Sequence, residues 1–352
     1  GPGSEAIAVY HVEDLRPEAG LAPGGRVRAI LSAPYRDQTY VLVEPSEPIF
    51  PRRVVLIQGT RLSTQYWEPE LGWDIGQIAF DPESGNLLLL EDSRGEERCS
   101  RIRVVESESG QVVQTVETPY LNWTYPGYPG TPFTHRGVLY SWRQGEVASE
   151  TLVAIRVQTG EAVEPIHLGI RLVNAALDEA TGRLFVLDSR GAVRVLNTPS
   201  LDVEDTWLRV LSPGFNAIQR APMAVAGGRL YIADFAQDAT LVLDAATGEF
   251  LASIPKAGQI TADTSRQRVF ITEQGVYVVD SSTYQIIDII PDTVRRDPLL
   301  TVPGAIEAHY DPIHGLLFVI MSNNSPGSSA STWLQIYDGA TLQRVDRPIR
   351  TY

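Results

Sequence analysis

The chain has 352 residues, 43% of them hydrophobic and 20% charged, and no apolar run approaches the ~20 residues that a membrane-spanning helix needs. The 43 acidic residues against 29 basic ones give a formal charge of −14, and no stretch concentrates the basic residues, so a phosphate backbone is repelled and nucleic acid is an unsuitable partner. Cys99 is the only cysteine, which excludes an intrachain disulfide and every multi-cysteine metal site.

In chain order, Gly1 to Ser4 ("GPGS") read as a protease-cleavage remnant and stand outside the fold. Ala6 to Val12, "AIAVYHV", is a strand candidate that either completes the last repeat or lies outside the count. From about Arg26 a pattern recurs: an apolar strand, a break, a second apolar strand, a tight turn and a third. The copies are "QTYVLVEPSEPIFPRRVVLIQGT" from Gln38, "GNLLLLEDSRGEERCSRIRVVESESGQVVQTV" from Gly85 and "GVLYSWRQGEVASETLVAIRVQTGEAVEPI" from Gly137. They continue with "GRLFVLDSRGAVRVLNTPSLDVEDTW" from Gly182, "GGRLYIADFAQDATLVLDAATGEFLASI" from Gly227, "QRVFITEQGVYVVDSSTYQIIDII" from Gln267 and "GLLFVIM" with "WLQIYDGATLQRVDRPI" from Gly315.

A short alternating segment precedes the copies, as in "QIAFDPESG", "NAALDEATG", "QITADTSRQ" and "IEAHYDPIHG", so the unit has four strands, a to d. Period-2 patterning and enrichment in Val, Ile, Tyr and Phe leave little room for helix. The turns are stereotyped. Asp-x-x-x-Gly joins a to b at Asp81, Asp178 and Asp311, and "DAATG" at Asp244, or "SSTY" after Asp280, joins c to d. An Asp side chain bonds the amide two residues on and Gly takes the positive φ, so these aspartates read as turn formers.

Seven such units predict an all-β, seven-bladed β-propeller with four antiparallel strands per blade, as a single domain over 5–352. The blades fall at about 26–68, 74–118, 130–168, 172–208, 222–255, 258–291 and 304–350. "GRLYIADFAQDATLVLDAATGEFLASI" and "QRVFITEQGVYVVDSSTYQIIDII" resemble the YVTN-type repeats of seven-bladed bacterial propellers, a group related to lactonase-like and quinoprotein-like propellers. That resemblance covers nearly the whole chain, but its motif is structural. The Gly-His and Trp-Asp signature of WD40 repeats is missing.

In an up-and-down unit the a–b and c–d turns emerge on one face, and the b–c loops and the connections to the next unit emerge on the other. The first set is short and uniform. The second is long and irregular, which is where binding residues collect on a rigid scaffold. Two neighbouring connections are aromatic-rich: Tyr66, Trp67 and Trp73 precede the second unit, and Tyr120, Trp123, Tyr125, Tyr128 and Phe133 precede the third. Such rings suit a protein-binding hot spot or a sugar-stacking platform, or they plug loop against blade.

Where strand b reaches that face, aligned positions hold Glu91, Asp188, Asp234 and Glu273, with Arg143 in a fifth unit. Either each acid caps the amides of its own b–c loop, or the set forms an arc around the axis able to hold a cation or ligand. The five histidines are scattered, and His309 and His314 flank Asp311 at a turn, which reads as turn chemistry and not as a metal site. "NWT" at Asn122 and "NNS" at Asn323 match the short glycosylation pattern.

No nucleophile elbow, zincin, phosphate-loop, dinucleotide or EF-hand motif is present. The reading is a non-catalytic binding or scaffold propeller that presents its aromatic, loop-rich face to a protein or glycan. No cofactor and no metal are expected, the chain is expected to be monomeric, and an exported location is favoured, since similar propellers are often exported. The resemblance implies an alternative, an enzyme of lactonase-like or quinoprotein-like kind with its site near the axis. A third reading is a module of a longer protein whose chemistry lies elsewhere.

Overall fold

The structure is a computed structural model. It describes residues 7–10, 17–21, 25–33, 38–45, 51–58, 61–94, 99–118, 132–143, 151–159, 162–167, 172–198, 200–208, 210–211, 221–290, 304–312, 314–323 and 331–345. The chain divides into two compact units, Gly1–Glu47 with Leu56–Thr64 and Ala221–Tyr352, and Pro48–Val55 with Gln65–Arg220. Sheets are numbered here in chain order. Sheet 1 has the strand order Gly25–Ser32, Gln38–Pro45, Arg53–Gln58, Arg61–Trp67.

The second unit holds three four-stranded antiparallel meanders, each with its strands in sequence order. Sheet 2 is Trp73–Asp81, Asn86–Ser93, Ser100–Glu106 and Val112–Thr118; sheet 3 is Phe133–His135, Val138–Arg143, Thr151–Arg156 and Ala162–His167. Sheet 4 is Leu172–Asp178, Arg183–Asp188, Val193–Asn197 and Val203–Trp207. The first unit holds sheet 5 (Met223–Ala226, Arg229–Asp234, Ala239–Asp244, Phe250–Ile254) and sheet 6 (Gln259–Asp263, Arg268–Thr272, Val276–Asp280, Ile286–Ile290). Sheet 7 has three strands, Gly304–Asp311, Leu316–Asn323 and Ser331–Asp338. Residues just after it return alongside the third strand, where Arg344 bridges Tyr337 and the Val345 amide donates to the Ile336 carbonyl at 3.0 Å.

The strand candidate at Ala6–Val12 completes no neighbouring sheet. Ile7–Tyr10 pairs with Pro17–Leu21 in a two-stranded hairpin of its own, Ile7 opposite Leu21 and Val9 opposite Ala19. The short connection between the two segments lets the pairing close locally.

The core lies between consecutive sheets. Leu88, Leu90, Ile102 and Val104 of sheet 2 pack with Leu139 and Ile155 of sheet 3, and Tyr140 and Ala154 of sheet 3 pack with Leu184, Val186 and Leu196 of sheet 4. In the first unit Tyr231 and Val242 of sheet 5 pack with Val269 and Ile271 of sheet 6, whose other face, Phe270 and Val278, packs with Leu317 and Val319 of sheet 7. Second strands are therefore covered on both faces, which is why "LLLL" at Leu87–Leu90 is continuous instead of alternating. Fourth strands are the outermost, and Val203, Phe250, Ile287 and Ile289 keep exposed side chains there.

The turn aspartates do local work. Asp178 accepts from the Ala180 amide at 3.2 Å and the Thr181 hydroxyl at 2.7 Å, and Asp244 accepts from the amides of Ala246 and Thr247, both at 2.9 Å. Asp280 and Asp338 repeat the Asp244 arrangement with Ser282/Thr283 and Ala340/Thr341. The residue four after Asp244 is Gly248 at φ 75°, but after Asp280 and Asp338 the same left-handed position falls on Tyr284 (φ 61°) and Leu342 (φ 58°). Tyr284 has a compensating contact: its hydroxyl accepts from Arg229 Nε at 2.6 Å.

The Asp280 pKa is lowered to about 2, chiefly by the Ser282 hydroxyl and then by the amides of Thr283 and Ser282. The folded chain thus binds this proton less tightly than the unfolded chain, so the stabilisation is present above the ordinary carboxylate range and disappears as pH falls toward 2. Asp280→Asn is expected to be less stable than the parent in denaturant titrations near neutrality, with the two curves converging toward about pH 2.

Candidate functional site

The residues at the b–c end of sheet 2 form the most densely paired constellation of the second unit. Glu91, fully buried at 0% exposure, stands directly opposite Arg101 in the ladder. Its Oε2 accepts from Arg101 Nε at 2.7 Å and its Oε1 from Arg103 Nε at 2.8 Å, with Arg103 Nη2 on the same oxygen. Arg101 and Arg103 are two apart on one strand and therefore share a face.

Both arginines continue outward to the connection after sheet 1. Arg101 Nη1 donates to Glu70 Oε2 at 2.8 Å, Arg103 Nη2 donates to the Glu68 carbonyl at 3.0 Å, and the Arg101 guanidinium lies 3.9 Å from the centre of the Trp73 ring. The hydrogen bond from Arg101, and the Arg101 charge behind it, hold the Glu70 carboxyl below the ordinary range. The backbone closes the same loop, Trp73 N to the Glu70 carbonyl at 3.0 Å and Arg94 N to the Gly72 carbonyl at 2.7 Å. Asp74 accepts from the Arg52 amide at 2.8 Å and lies 3.8 Å from the guanidinium groups of Arg52 and Arg94. A buried ion cluster thus fixes the segment 68–74, with Leu71 fully exposed at its tip.

Trp67 takes the second of the two roles open to these rings, plugging loop against sheet. Its ring is only 7% exposed and its Nε1 donates to the Gly110 carbonyl at 3.2 Å, so it packs the connection against a turn of sheet 2 and offers no open stacking surface. Trp73 is half-buried beneath Arg101. Phe133 stacks on Tyr140 at 5.2 Å, inside the core between sheets 3 and 4. The side chain of Tyr66, and Tyr120, Trp123, Tyr125 and Tyr128 altogether, lie outside the described residues.

The other aligned b-strand positions perform separate local tasks. Asp188 accepts from the amides of Arg190 at 2.8 Å and Ala192 at 3.0 Å. Within that loop Gly191 has φ 78°, and a Cβ there would sit 2.5 Å from the Leu211 carbonyl, so only glycine fits. Asp234 accepts from the Ala236 amide at 2.9 Å and from Gln237 Nε2 at 3.0 Å. Glu273 pairs at 2.6 Å with Lys256, the only lysine of the chain, which also reaches Asp238 at 3.2 Å. Arg143 ends its strand opposite Thr151, and its side chain lies outside the described residues. Among the described residues no three His, Cys, Asp or Glu side chains converge as a metal-binding group. At the turn of sheet 7, His314 Nδ1 and Asp311 Oδ2 are 2.6 Å apart.

Sequence reasoning missed Arg101, Arg103 and Glu70. The available signal was "SRIRV", which places two arginines on one face of a strand otherwise buried, a pattern that demands an acid nearby.

Stacked antiparallel meanders with short turns on one side define the class as a β-propeller fold, and the likeness to solved structures shows that fold. The chain is similar to the dihydro-heme d1 dehydrogenase NirN in complex with DHE, with TM-score 0.64, 14% identity, and coverage of 98% of this chain and 71% of that one. It is also similar to the Cps50 (Swd1) β-propeller domain of Myceliophteria thermophila, with TM-score 0.58, 9% identity, and coverage of 90% and 96%. No family model and no curated protein matches the chain. At such identities the likeness speaks for the fold alone.

Removing one member of a buried pair strands the other charge. Glu91→Ala is therefore expected to cost about 3–5 kcal/mol in urea denaturation. Asp188→Ala, which removes only a loop cap, should cost about 1–2 kcal/mol.

Proposed function

We propose that this chain is a non-catalytic binding propeller of seven four-stranded blades, related to the YVTN-type repeats, whose loop-rich face engages a protein or glycan. The observation that supports it is the commitment of a buried ion cluster, Glu91 with Arg101 and Arg103, to hold an exposed connection in one conformation. Burying these charges is expensive, and the stabilisation it returns over an apolar core is small. Its return in this reading is preorganisation: a loop already ordered loses less entropy on binding.

The b–c loops capped by Asp188 and Asp234 extend the same theme in sheets 4 and 5. The blade count draws support from sheets 1 to 7, with residues 343–345 supplying the beginnings of a fourth strand to the last. Tyr120, Trp123, Tyr125 and Tyr128 are proposed as the contact aromatics. Trp73 belongs to the neighbouring ordered connection, where it stacks with Arg101.

The test is a glycan array together with crosslinking of tagged protein to partners, followed by titration of the best binder. Trp123→Ala and Tyr125→Ala should weaken that binding about 10-fold or more without changing the melting temperature. Thr247→Arg, on a c–d turn, should leave it unchanged. Loss of binding through Thr247→Arg with none through the aromatic variants would sink the proposal.

A further inference from the structure

The outer edge of sheet 5 differs from those of the other sheets with a fourth strand. Each of those fourth strands carries a charged residue: Arg61 in sheet 1, Glu117 in sheet 2, Glu164 in sheet 3, Glu204 and Asp205 in sheet 4, and Asp288 in sheet 6. Phe250–Ile254, "FLASI", carries none. Charge on an edge strand is the ordinary protection against pairing with another chain.

The hydrogen-bond register shows how that protection works in sheets 4 and 6. In sheet 5 the Asp244 amide donates to the Glu249 carbonyl at 2.8 Å. Counting in twos along the third strand, Val242 and Thr240 then exchange bonds with Ala252 and Ile254, and the amide and carbonyl of Ser253 point outward. The same count, from the Asn197 amide on the Asp202 carbonyl and the Asp280 amide on the Gln285 carbonyl, turns the Thr206 and Ile289 amides outward. Both of these are blocked: Asp205 Oδ1 accepts from Thr206 N at 2.7 Å, and Asp288 Oδ1 from Ile289 N at 2.8 Å. Asp205 stands opposite Val195 and Asp288 opposite Val278, beside a bulge; the residue in that register of sheet 5 is Ala252, opposite Val242, and it caps nothing. Next to it Phe250 is 58% and Leu251 39% exposed.

Both ends of this open edge are negative. Glu249, just before the strand, is exposed and has no ion pair among the described residues. Just after the strand, Lys256 is shared by two acids, Glu273 at 2.6 Å and Asp238 at 3.2 Å, which leaves acid in excess.

We propose that the outer strand of sheet 5 is a docking edge for an extended segment of another protein, with arginine or lysine at its ends and uncharged side chains between. The segment adds a fifth strand. Its residue opposite Ser253 exchanges two main-chain hydrogen bonds, its apolar side chains cover Phe250 and Leu251, and its terminal cations meet Glu249 at one end and Asp238 with Glu273 at the other. A second copy of this chain is the poorer occupant, because it brings a net charge of −14 against the same acids. The edge lies outside the b–c loops, so it stands or falls separately from the loop face.

The probe is a fluorescein-labelled synthetic peptide with blocked ends, Arg-Thr-Val-Thr-Val-Thr-Arg, titrated into the full chain by anisotropy. Saturable binding is expected, weakened about 10-fold or more when the five central residues of the peptide are N-methylated. Ala252→Asp, which installs the block found in sheets 4 and 6, should weaken binding by a similar factor, as should Ser253→Pro, which removes the outward amide and leaves the ladder intact. Glu249→Gln should weaken it about 2- to 5-fold. The proposal is overturned by an absence of saturable binding, by equal binding of the N-methylated peptide or of one with glutamate in place of both arginines, or by binding that survives both Ala252→Asp and Ser253→Pro. It is overturned in favour of a second copy if sedimentation shows a dimer of the parent that Ala252→Asp dissolves. Where Ala252→Asp fails to fold, Ser253→Pro gives the same reading alone.

Discussion

Every second strand in these sheets is denied water on both faces, and most of the structure follows from that. Leu87–Leu90, Leu184–Leu187 and Leu230–Ala233 are buried without interruption. A sheet with two apolar faces must have a neighbour on each side, so sheets 2 to 4 pack in series within their unit and sheets 5 to 7 within theirs. Polar chemistry is then pushed to the strand ends, where side chains and backbone must be satisfied by what the loops supply.

The strand ends solve that problem in different ways, and loop length decides which. Asp188 and Asp234 precede short b–c loops, so the nearest donors are amides two to four residues on, and the acid closes its own turn. Glu91 has a longer side chain and a longer loop after it. It turns instead across the ladder to Arg101 and Arg103, which bind the connection from the preceding sheet. Glu273 is the intermediate case, meeting Lys256 from the connection between sheets 5 and 6. One alignment position therefore yields a cap, a buried ion cluster and a partly exposed ion pair, and the latter two reach a segment other than their own loop.

How much of this could be read in advance depended on the range of the interaction. The turn aspartates were legible because their partners lie two and three residues away, as Asp244 with Ala246 and Thr247 shows. The meanders were legible because each strand pairs with the next in sequence. Trp67 was not, since its place depends on Gly110, which comes from another sheet. The Arg101–Glu70 and Lys256–Glu273 pairs were invisible for the same reason. Ile7–Tyr10 was recognisable as a strand, but its partner, Pro17–Leu21, contains no apolar alternation that would announce it.

The same logic separates residues that are present for the fold from residues that the fold merely tolerates. An acid such as Glu91 is buried, yet each of its oxygens has a donor, so its presence is consistent with the packing around it. Glu307, by contrast, is an exposed residue, and His309 two positions on leaves a buried ring nitrogen without a partner among the described residues. At the equivalent place on sheet 2, two residues before the turn aspartate Asp81, the buried Ala79 leaves no such atom to satisfy.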